Sequence, residues 1–142
     1  MVSALKEKFW QYIIDHNPDL MFDLQETYSV SKFLEEQVGM LALFIEQQIE
    51  AQVPEYIIQE QCLEQLTAPL KPSRFLYIKN VVEEEFPDDF ETMREAGTLT
   101  YEVINMMQAC KEIFEAFDFS VENEDSRHLR YAIIAEVHDY LV

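Results

Sequence analysis

Thr98-Leu99-Thr100-Tyr101-Glu102-Val103-Ile104-Asn105-Met106-Met107-Gln108-Ala109-Cys110-Lys111-Glu112-Ile113-Phe114-Glu115-Ala116-Phe117 is the most regular part of the chain. Its Leu99, Val103, Met106, Met107, Cys110, Ile113, Phe114 and Phe117 recur at i, i+3, i+4, i+7, the spacing that lines up one face of an α-helix. Thr98 stands where a capping hydroxyl is expected, and Gly97 before it closes the preceding helix in the left-handed conformation that glycine adopts most readily.

The same period extends outward in both directions. Downstream, Asn123 is placed as the cap of a last helix with Leu129, Ala132, Ile133, Val137, Tyr140 and Leu141 on one face. Upstream, Ser73 precedes Phe75, Ile78, Val82 and Phe86, and Pro87 separates that helix from a short acidic one. Pro54 opens a helix with Ile58, Cys62, Leu63 and Leu66, which Pro69 and Pro72 end. Ser29 or Ser31 caps a long helix through Val30, Phe33, Leu34, Val38, Leu41, Ile45 and Ile49, apolar on enough of its circumference to be read as central. The first helix carries Leu5, Phe9, Tyr12 and Ile13, widened by Trp10 and Ile14. It stops at Asn17-Pro18, because a residue before proline is pushed out of α geometry. Pro18 to about Leu24 carries only a weak helical signal.

No stretch alternates apolar and polar residues as a strand does, so the expected fold is all-α: a single compact domain over residues 1–142. Six or seven helices in an orthogonal or mixed bundle are expected, since their lengths differ too much for a plain four-helix bundle. No internal repeat is read, because the helix starts share no period of about 30 to 45 residues.

The chain has 142 residues, 28 Asp or Glu against ten Lys or Arg, and a net charge of −18. That balance disfavours direct contact with nucleic acid or anionic membrane, both of which bind through Lys and Arg. A basic protein partner would be attracted. With no apolar leader at the start and no apolar run near the ~20 residues of a membrane span, a cytoplasmic protein is expected.

Two stretches concentrate the carboxylates. Phe33 to Leu70 holds seven Glu and not one Lys or Arg, and Glu83-Glu84-Glu85, Asp88, Asp89, Glu91 and Glu95 are relieved only by Arg94. Asp88, Asp89 and Glu91 also suit the positive end of the helix after Pro87. Arg127 and Arg130 are read as intrahelical partners of Glu124 and Asp125.

Catalytic signatures are missing. His128 with Glu124 and Asp125 lacks the paired Glu-x-x-His set of a carboxylate-bridged metal site, and neither acidic loop has the glycine and spaced oxygens of a calcium loop. Cys62 and Cys110 lie on apolar stripes as core thiols, and Gly39 and Gly97 cannot form a Gly-rich phosphate loop. No catalytic residue, metal ligand or cofactor is assigned.

The expected function is that of a non-catalytic acidic helical module binding a basic protein partner in a regulatory or inhibitory interaction. Tyr77, Glu83, Glu84, Glu85, Asp88, Asp89 and Glu91 form the candidate partner-binding surface. Tyr28, Tyr56 and Tyr101 are further off-stripe tyrosines. Alternatives are a nucleic-acid-mimicking inhibitor of a DNA-binding protein, and an enzyme using carboxylates in an unrecognised pocket. A homodimer through Trp10, Leu43 or Phe119 is also open.

Overall fold

The computed structural model describes residues 1–142 and contains ten α-helices with no strand. The chain divides into two compact units, Met1–Leu70 and Lys71–Val142. Each has its own cluster of buried apolar side chains.

The first unit comprises α1 (Val2–His16), α2 (Pro18–Glu26), α3 (Val30–Gly39), α4 (Ala42–Glu50) and α5 (Glu55–Thr67), followed by a 3₁₀ turn at Ala68–Leu70. Leu5, Phe9 and Ile13 on α1 are buried against α3 and α5, which supply Leu34, Val38, Ile58, Cys62 and Leu66. The second unit comprises α6 (Arg74–Glu85), α7 (Pro87–Ala96), α8 (Leu99–Ala109), α9 (Lys111–Ala116) and α10 (Arg127–Leu141). Here Phe75, Ile78, Val81 and Val82 on α6 meet Val103 and Met106 of α8 and Leu129, Ile133 and Val137 of α10, with Phe114 of α9 fully enclosed.

Ten helices replace the six or seven expected, for a physical reason visible at two breaks. The long helix read through Ile49 is cut at Leu41 (φ −97°, ψ 3°), and the one read from Thr98 to Phe117 is cut at Cys110 (φ −93°, ψ 0°). On a straight helix these residues would share one stripe strung out along the axis; the breaks let the chain change direction while Ile45 stays buried in the same cluster as Leu34 and Val38. The segment after Pro18 is a nine-residue helix rather than a weak turn, held by proline at its first position and by burial of Pro18 and Leu24.

The two units follow one plan. In each, the first helix packs on the second, third and fifth, the second on the third, and the fourth on the fifth. Asn17 and Phe86 end the first helices with nearly the same backbone (φ −137° and −132°, ψ 58° in both), and Pro18 and Pro87 start the second. Tyr28 (φ 54°) and Gly97 (φ 74°) make the same left-handed turn. After them Ser29 N–H donates to Leu24 O and Thr98 N–H to Met93 O, each at 2.9 Å. Gln52 (φ 60°) and Asp118 (φ 52°) repeat this behind the fourth helix, where Val53 N–H donates to Gln48 O and Phe119 N–H to Phe114 O.

The buried positions correspond as well. Phe9 and Ile78, Ile13 and Val82, Leu34 and Val103, and Ile45 and Phe114 are pairs 69 residues apart. Ile58 and Leu129, Cys62 and Ile133, and Leu66 and Val137 are pairs 71 apart. The fold therefore contains an internal repeat that the sequence reading misses. None of these seven pairs shares a residue type, and the spacing lies outside the period of tandem helix pairs.

Caps differ in detail from expectation. Ser73 accepts from Leu76 N–H as read, whereas α10 is capped by Ser126, which accepts from Leu129 N–H. Asn123 instead ties the connecting loop, accepting from Ser120 N–H and donating to Phe117 O and Asp118 O. Thr98 directs its hydroxyl back to Met93 O, as Ser29 does to Leu24 O.

The paired left-handed turns give an internal comparison. Tyr28 is 96% exposed, so its side chain adds no packing to offset a strained φ, and nothing lies within 4 Å of where a Cβ at Gly97 would point. Tyr28→Gly is expected to raise, and Gly97→Tyr to lower, the stability by about 1 kcal/mol each in urea unfolding.

Candidate functional site

The candidate surface is the α6–α7 junction. Phe86 ends one helix and begins the next: its N–H donates to Val82 O at 2.9 Å, and its carbonyl accepts from Phe90 N–H at 2.9 Å. Pro87 has no N–H to satisfy at this helix start. Phe90 is buried and Phe86 half-buried against the unit's core. With both phenyl rings turned inward, the flanking acids are turned out.

Glu83, Glu84, Glu85, Asp88, Asp89 and Glu91 are all exposed, the first three on the last turn of α6 and the others at the start of α7. Their charges are partly matched. Arg94 Nη2 lies 2.6 Å from Glu91, and Arg130 Nη2 reaches from α10 to Glu84 at 2.8 Å and Glu85 at 3.1 Å. Glu83, Asp88, Asp89 and Glu95 have no cationic partner.

Two readings of this region change. Arg130 joins α10 to α6 across 45 and 46 residues instead of pairing with Glu124 and Asp125 on its own segment, and Arg127 forms no ion pair. This link is invisible to i, i+4 reasoning because it depends on α6 and α10 lying side by side. Tyr77, placed with the acids as a surface anchor, is half-buried. Its ring meets Phe114 edge-on at 5.7 Å and Phe119 at 5.3 Å, and burial raises its hydroxyl pKa. Phe119 and Trp10 are likewise packed against the clusters, which leaves Leu43 as the exposed member of the suggested dimer face. Tyr28, Tyr56 and Tyr101 are exposed at 96%, 67% and 65%.

No three His, Cys, Asp or Glu side chains converge closely enough to hold a metal ion. Both cysteines are free and fully buried. Burial pushes the Cys110 thiol up from 9.0 to about 12, with the nearby Glu136 charge acting in the same direction, and burial raises Cys62 as well. Tyr140 donates to Glu102 at 2.6 Å, and that hydrogen bond raises its pKa. No helix is long and apolar enough to cross a membrane.

Comparison with protein-family models, curated proteins and solved structures gives no match to this chain.

A thiol whose pKa is raised on folding favours the neutral form. Its contribution to stability is complete below the unfolded pKa near 9.0 and is lost as pH rises from there towards about 12. Unfolding free energy is expected to fall across that window, and C110A should flatten the slope there while leaving the acid limb unchanged. Ellman's reagent should react with neither cysteine in the native protein at neutral pH, and with both in denaturant.

Proposed function

We propose that the chain is a non-catalytic acidic helical module that binds a basic protein partner, and that the acids of the α6–α7 junction are its contact surface. The comparison between the two units supports this. The corresponding junction of the first unit, α1–α2, has Ile14, Asp15 and His16 where the second has Glu83, Glu84 and Glu85. It has Asp19, Leu20 and Phe22 where the second has Asp88, Asp89 and Glu91.

An Asp directly after the helix-opening proline is common to both units and has a structural cause, the positive end of the helix dipole. Glu84 and Glu85 also have one in Arg130. Glu83 has neither; Asp89 shares the helix dipole with Asp88 and Glu91 pairs with Arg94, yet the same backbone is built in the first unit with Ile14, Leu20 and Phe22, so a carboxylate is not needed at any of these three places. Carboxylates that the architecture does not require, exposed and incompletely neutralised, raise the local concentration of a cationic partner.

Binding of a lysine-rich peptide, followed by fluorescence anisotropy, is expected to weaken about tenfold between roughly 0.05 and 0.3 M salt, because exposed charges are screened over about 8 Å at physiological ionic strength. Replacing Glu83, Asp89 and Glu91 by Gln, Asn and Gln should weaken it about tenfold at low salt, equivalent to about 1.4 kcal/mol. The control variant Glu112→Gln, Glu115→Gln, Glu122→Gln removes as much charge from the same unit. An equal loss in the control would show that net charge alone is being read and would remove the α6–α7 assignment.

A further inference from the structure

We propose that the exposed side of the α3–α4 connection, with Met40 in the turn and Leu43 in the first turn of α4, docks a basic amphipathic helix of a partner protein. Met40 is 77% and Leu43 65% exposed. The second unit supplies an internal control, because Ala109 and Glu112 occupy the same places at the same helix break, both exposed. Ile49, 55% exposed, corresponds to Glu115, since Gln52 N–H donates to Ile49 O as Asp118 N–H does to Glu115 O. The architecture thus tolerates small or charged residues where the first unit exposes large apolar ones.

Helical geometry arranges these residues. Ile45 marks the buried side of α4. Leu43, Gln47 and Glu50 step by four and three residues along the opposite side, with Glu46 also one turn beyond Leu43, and Met40 stands in the turn just before the helix. The exposed Leu43 is therefore continuous with carboxylates along one stripe of α4, and the exposed Met40 precedes it in the connecting turn.

Charge selects the occupant. From Phe33 to Leu70 the chain has seven Glu and no Lys or Arg, and Lys32, just before it, lies 4.0 Å from Glu36. A second copy would bring a unit of the same sign, since each unit carries −9: twelve acids and three cationic residues in one, sixteen and seven in the other. Nucleic acid and anionic membranes are repelled for the same reason. A helix with apolar anchors flanked by Lys or Arg matches both parts of the stripe. This surface is separate from the α6–α7 acids, and its apolar pair makes it sensitive to more than charge.

The test uses the full chain and two synthetic peptides of about 18 residues, five helical turns. One is an amphipathic Leu/Lys helix, and the other has the same Lys with Ser in place of Leu. The wild type is expected to bind the Leu/Lys peptide at least about tenfold more tightly, the loss associated with removing a buried anchor. M40A/L43E, which carries the second unit's own residues, should abolish that preference while the thermal midpoint stays unchanged. Equal affinity of the wild type for the two peptides overturns the proposal, as does a preference that survives M40A/L43E. Neutralising Glu83, Asp89 and Glu91 should lower affinity for both peptides and preserve their ratio; loss of the ratio there would place the contact at α6–α7 instead. Wild-type self-association in sedimentation that L43E abolishes would assign the face to a second copy and also overturn it.

Discussion

Burial of one apolar stripe on the opening helix of each unit is the constraint that the other helices satisfy. Leu5, Phe9 and Ile13 in the first unit, and Phe75, Ile78 and Val82 in the second, are almost without solvent contact. Units of 70 and 72 residues lie near the size at which only about 60% of the unfolded surface is removed from water. A straight antiparallel array of so few residues would leave much of each stripe wet. The third and fifth helices close over it, and the kinks at Leu41 and Cys110 turn the fourth helix back so that Ile45 and Phe114 complete the interior.

That shared constraint separates structural from non-structural residues. Where the units agree in character, the fold supplies the reason: proline after the first helix, an Asp beside it, a left-handed residue behind the second and fourth helices, and apolar residues at the seven paired core positions. Where they differ at exposed positions, packing does not. The second unit spends its differences on carboxylates at Glu83, Asp89 and Glu91, the first on apolar Met40, Leu43 and Ile49. Electrostatic attraction is long-ranged and salt-sensitive, whereas apolar contact is short-ranged and depends on shape, so the two units present chemically different surfaces.

Much of the helical reading was available locally. Pro18, Pro54, Pro87 and Gly97 mark helix ends because their backbone preferences act within a few residues, and the stripes on α1, α5, α6 and α10 stand out because 3.6-residue periodicity is also local. The break at Cys110 carries neither proline nor glycine, and at the other Gly39 ends α3 without a left-handed φ, so apolar periodicity runs through both. Of the candidate surface, the exposure of the six acids was legible from their charge. The engagement of Tyr77 with Phe114 and Phe119 was not, because those rings come from residues 37 and 42 positions away.

By itself, then, the amino-acid order determined the helical class, most helix ends, which side chains seek the interior, and an acidic exterior, all consequences of short-range backbone preference and hydrophobic patterning. Tertiary structure alone decided that the helices form two units on one plan, that Arg130 belongs to Glu84 and Glu85, and that Leu43 stays in solvent while Phe119 and Trp10 do not. The physical reason is that these outcomes depend on which helices become neighbours. That choice is made by the fit of whole faces whose residues are far apart in the chain and, between the two units, unlike in identity.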